Sequence, residues 1–80
     1  MNAQYLALDT AEFRQQIIHA LDRLLAEFGP QLAAGIVVRS FTAAARELRA
    51  AGVRHGLPTA AEAMARRRLQ DRIVRTDQVA

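Results

Sequence analysis

The chain predicts an all-α fold, a small three-helix bundle with helices near residues 10–28, 31–51 and 59–75. Three observations carry this expectation. Apolar residues recur at the 3.6-residue period of a helix face, and β-branched alternation of strand type is absent. Two boxes with a cap residue followed three positions on by glutamate, Asp9-Thr10-Ala11-Glu12 and Thr59-Ala60-Ala61-Glu62, precede helical runs. Gly29-Pro30 and Gly52 stand where two of those runs stop.

The first helix is capped by Asp9, with Leu8 and Phe13 placed to staple its entry. On a helical wheel Phe13, Ile17, Ala20, Leu21, Leu24 and Phe28 share one face, with Ile18 and Leu25 at its edge. Gly29 suits a C-terminal cap, and Pro30 can open a following helix but cannot continue the first. The second helix carries a broad apolar face of Ala34, Val37, Val38, Phe41, Ala44, Ala45 and Leu48. Arg39, Thr42, Arg46 and Arg49 lie opposite. A thinner apolar line, Leu32, Ile36, Ala43 and Ala50, runs beside it. A helix with two apolar lines fits the centre of a bundle or a contact with another chain, so Leu32, Ile36 and Ala43 are the candidate interface. Gly52 is the expected cap of this helix. The third helix is expected to begin at Thr59, because Pro58 discourages helix before it. Its stripe is narrow: Ala61, Ala65, Leu69 and Ile73.

Eighty residues make one domain at most, here residues 1–80, with ends that fray at about 1–8 and 76–80. The hydrophobic fraction is 51%, but seventeen of those residues are alanine, so the buried area is small for the count. A core of this size supplies only a few kcal/mol, which makes oligomerisation an expectation. No cysteine is present, which excludes disulfides, thiolate metal sites and a cysteine nucleophile. Met1 to Tyr5 hold no cationic stretch of signal-peptide type, and the longest uncharged apolar run, Leu32 to Val38, is too short to span a bilayer. The expected location is cytoplasmic, without membrane binding.

Catalysis has little to stand on. His19 sits on the polar face of the first helix with no His or Glu at metal-ligand spacing, and His55 lies alone in a turn. Asp9, Glu12 and Glu62 read as caps, and Glu62–Arg66, Arg67–Asp71 and Asp71–Arg75 as pairs on a solvated face. No phosphate-cradling glycine loop occurs, and the single serine, Ser40, is mid-helix. The expectation is no enzyme, no metal, no cofactor and no small-molecule substrate.

The charge is uneven. All eleven cationic residues are arginine; residues 1–40 hold three against four acids, and residues 41–80 hold eight against four. Arg66, Arg67, Arg68, Arg72 and Arg75 form a candidate basic patch able to follow phosphates. The turn before them is longer than that of a helix-turn-helix, and the first turn of the third helix offers nothing that reads a base edge. Nucleic-acid binding through these arginines is therefore the alternative reading.

The segment Val53-Arg54, Leu57-Pro58, Glu62, Ala65-Arg66 and Arg68-Leu69, with an upstream helix ending Leu24 to Phe28, resembles a bacterial family of small three-helix bundle dimerisation domains. Related helical segments precede some arsenate-reductase-like and phosphatase-like domains. The resemblance covers roughly residues 17–69, and Gly56 stands where that family has an aromatic residue. It implies a three-helix fold that self-associates and no catalytic residues. The function expected is a non-catalytic protein-interaction or dimerisation module, whose partner is a second copy or another helical protein.

Overall fold

A computed structural model describes residues 11–79, with side chains described to residue 76. Within that span the chain forms three helices and no strand: α1 (Ala11–Phe28), α2 (Ala34–Ala50) and α3 (Leu57–Val79). The three-helix architecture is the one expected; the starts of α2 and α3 differ. The Asp9 cap and the Leu8 staple lie outside the described residues.

α1 does not end on a left-handed glycine. Gly29 N–H still donates to the Leu25 carbonyl at 2.8 Å, and Leu32 N–H to that of Phe28 at 2.8 Å. Among the described residues only Gly52 and Gly56 have positive φ. The helical pattern thus continues past Pro30, and the chain breaks at Ala33, which is extended (φ −63°, ψ 144°). α2 therefore starts at Ala34, not Gln31. Ala33 caps it without a side-chain hydrogen bond, so no Ser, Thr, Asp or Asn marks the start. The other end of α2 follows expectation. Gly52 adopts φ +94°, its N–H reaches the Arg49 carbonyl at 3.0 Å, and Val53 N–H reaches that of Leu48 at 2.9 Å. That pair of bonds is a Schellman motif.

α3 starts two residues earlier than Thr59, at Leu57. Gly56 turns the chain with φ +67°, and its carbonyl accepts from Ala60 N–H at 2.9 Å. Pro58 sits in the first turn, where a missing N–H costs nothing. Leu57 and Pro58 are both buried. That burial outweighs the usual bias of a residue before proline away from helix. The Thr59 capping box does not form: Thr59 is an exposed helical residue, and Glu62 is buried elsewhere.

The core joins Ala20, Leu24 and Phe28 of α1, Val37, Phe41 and Ala44 of α2, and Ala61, Ala65 and Leu69 of α3. Ile17, Leu21, Leu25, Leu32, Ile36, Leu48, Met64 and Ile73 pack partly against it. Of the broad face expected on α2, Ala34 and Val38 are left exposed, Val38 by 38%. The α2–α3 interface is the most extensive of the three.

Candidate functional site

The charges of α3 are placed by its neighbours. Arg23 of α1 grips Glu62 with two parallel bonds, Nε to Oε2 at 2.9 Å and Nη2 to Oε1 at 2.7 Å. Arg66 bonds the same carboxylate, Nη2 to Oε2 at 3.0 Å, and reaches Glu27 Oε1 through Nε at 2.9 Å. Arg23 and Glu27 are one turn apart on α1, as Glu62 and Arg66 are on α3, so the two helices run in the same direction where they meet. On the other flank of α3, Arg68 makes a bidentate pair with Glu47 of α2, at 2.9 and 2.7 Å. The Glu62 side chain is only 9% exposed. Its hydrogen bonds with Arg23, against the opposing cost of burial, hold its pKa below the ordinary carboxylate value, with Arg66 acting in the same direction. Glu47 is lowered likewise, chiefly by Arg68.

These pairs engage two of the five arginines of the expected basic patch. Arg66 and Arg68 lie on opposite flanks of α3, each bound to an acid of a different helix. Arg67, Arg72 and Arg75 are exposed and make no ion pair among the described residues. The expected Glu62–Arg66 pair forms within α3, whereas Arg67–Asp71 and Asp71–Arg75 do not.

The candidate interface residues separate too. Leu32 lies in the turn before α2, so it does not extend a line on that helix. Leu32 and Ile36 are half-buried against the core, and Ala43 is exposed. The large apolar side chains left most open are Ile18 (51%), Val38 (38%) and Val74 (52%). On the sequence alone Ile18 stands at the edge of the apolar face of α1 and Val38 within that of α2. Their exposure depends on where α3 packs, which the wheel of a single helix does not contain.

His19 lines an open surface cleft of about 390 Å³ with Gln16, Arg23, Gly56, Pro58 and Thr59. The lining holds no carboxylate to orient the imidazole, and Arg23 is already engaged by Glu62. Among the described residues no hydrogen bond joins the His19 imidazole to the Thr59 hydroxyl in that lining. His55 is exposed in the turn before α3. Among the described residues no group of three His, Cys, Asp or Glu could hold a metal ion. None of the described helices is long and apolar enough to cross a membrane. Comparison with protein-family models, curated proteins and solved structures gives no match.

Proposed function

We propose that this chain is a non-catalytic helical interaction module that self-associates. The observation that supports it best is the surface the bundle fails to cover. Ile18, Val38 and Val74 stay 38–52% exposed beside a core of four alanines and five larger side chains. Where such side chains lie together they mark contact sites, and pairing two copies about a two-fold axis covers them reciprocally. The resemblance of residues 17–69 to three-helix bundle dimerisation domains supports the same reading. No catalytic residue or cofactor belongs to it. Its partner is a second copy or another helical protein, and its expected setting is the cytoplasm.

Sedimentation velocity across a concentration series tests it. The expected outcome is a monomer–dimer equilibrium in the micromolar range. A monomer at hundreds of micromolar overturns the proposal.

The second reading is nucleic-acid binding, favoured by the exposed guanidinium groups of Arg67, Arg72 and Arg75, which make no ion pair among the described residues. Engagement of Arg66 and Arg68 by acids leaves it fewer phosphate contacts than the sequence offers.

A further inference from the structure

The outer face of α2 carries a pattern that the bundle does not use. Ile36, Arg39, Ala43, Arg46 and Ala50 follow one another at alternating steps of three and four residues. That spacing keeps side chains in one line along a helix and forms the seam of helix–helix contacts. Here the line faces solvent: Arg39, Ala43, Arg46 and Ala50 are exposed, and Ile36 is half-buried. Gly35, Thr42 and Arg49, which flank the line, are exposed too. The floor of this face is low, because Thr42 and Ala43 are what it holds between Arg39 and Arg46. The Arg39 guanidinium lies along the helix over Gly35, its Nη1 3.6 Å from where a Cβ would stand. The charge on the face has one sign. Arg39, Arg46 and Arg49 make no ion pair among the described residues. Glu47 is the single acid of α2, and both its oxygens are held by Arg68 of α3.

Charge and shape together select the occupant. A second copy laid along the same line sets arginine against arginine, so this face repels itself. Single-stranded nucleic acid calls for stacking rings, and the face has no aromatic side chain. Duplex DNA meets only guanidinium groups on phosphates here, a weak and sequence-independent attraction. A membrane surface calls for large apolar side chains beside the cations, and the line offers only the half-buried Ile36. We infer that the outer seam of α2 receives an acidic amphipathic helix of another protein. Its carboxylates, seven residues apart, lie over Arg39 and Arg46, whose own seven-residue spacing is about 10 Å along the axis. Its larger apolar residues lie over Ala43 and Ala50. Planar guanidinium groups take carboxylates in paired hydrogen bonds, and the small residues between them let a second helix approach closely. The inference rests on the interaction-module reading proposed above and gives its other helical partner a chemistry. A contact along one exposed helix face belongs with weak, transient interfaces.

The probe is a synthetic helical peptide of about three heptads, with leucine and glutamate alternating at the same three- and four-residue steps. Its control has the same composition with the glutamates spread around the helix. Each is titrated into the isotope-labelled full chain and followed by backbone amide shifts. The patterned peptide is expected to bind in the micromolar range and to move the amides of Gly35, Arg39, Ala43, Arg46 and Ala50 most. Raising salt from about 0.05 to 0.5 M should weaken it about tenfold or more. Arg39→Gln combined with Arg46→Gln should do the same, with helix content kept by circular dichroism, whereas Arg67→Gln on α3 should leave binding unchanged. Exchange of charge, Arg39→Glu with Arg46→Glu against a peptide bearing arginine in place of glutamate, should restore it. Equal binding of the control peptide, amide shifts centred on another face, or duplex DNA held by the same amides more tightly than the peptide overturns the seam. Sedimentation velocity separates this from self-association, which the paired glutamine variant is expected to retain. A chain that dimerises but ignores the peptide overturns the seam alone. A chain that binds the peptide yet stays monomeric at hundreds of micromolar overturns self-association alone.

Discussion

Phe41 is 3% exposed and sits between Val37 and Ala44, themselves fully buried. In a core otherwise built from Leu, Val and Ala, its ring is one of two buried aromatic groups among the described residues, with Phe28. Phe41→Ala removes that volume from three packed helices and should cost about 3–5 kcal/mol. Urea denaturation should show a lower midpoint, and an unchanged midpoint would show that the core face of α2 is misassigned. Gly52 acts through the backbone. Its φ of +94° is a region where a Cβ is strained, although a Cβ built there would meet nothing within 4 Å. Gly52→Ala should therefore destabilise by about 1–2 kcal/mol through conformation alone, read as a fall in the thermal midpoint with no loss of core packing.

At the scale of elements, the helices are held in register by charge as well as by packing. Glu62 is the hinge of this arrangement, because one buried carboxylate receives guanidinium groups from α1 and from its own helix. Glu62→Gln keeps the shape but leaves Arg23 and Arg66 facing a neutral amide. Arg23 is more than half exposed, so water compensates in part and the expected loss is about 1–2 kcal/mol. Equilibrium denaturation at neutral pH measures it. The pH dependence follows from the sign of the shifts. Glu62 and Glu47 have lowered pKa values in the folded chain, so the folded state holds fewer protons than the unfolded one as pH falls. Their stabilisation is full above the ordinary value of 4.5 and is lost as pH drops through their folded values. The denaturation midpoint should stay level down to about pH 5 and fall below it. In Glu62→Gln the acid-side fall should be shallower; an identical slope would mean that Glu62 contributes nothing to it.

For the whole molecule, the net charge of +3 is spread around the bundle. Arg39, Arg46 and Arg49 lie on the exposed side of α2, while Arg67, Arg72 and Arg75 lie on α3, and Arg66 and Arg68 are engaged. Duplex DNA should accordingly bind without sequence preference and no tighter than about 10⁻⁶ M at physiological salt. Fluorescence anisotropy tests this, and a nanomolar, sequence-dependent complex lost on Arg67→Ala would move nucleic-acid binding to first place.

The sequence by itself determined the number of helices, their approximate spans, the Gly52 stop and most of the core, Leu24, Phe28, Val37, Phe41, Ala44 and Leu69 among them. Those features are local: periodicity and a left-handed glycine act within one or two turns. Only the tertiary structure decided the rest. Ala33 became a cap because the turn after Phe28 stayed helical past Pro30, and Leu57-Pro58 entered α3 because burial rewarded it. Glu62 carries the pattern of a capping residue, yet a guanidinium 39 positions away in sequence claims it. The exposure of Ile18 and Val38 was equally illegible, since a helical wheel shows which residues share a face but not how wide a face two neighbouring helices can cover. Long-range packing fixes that width, and with it the surface left for a partner.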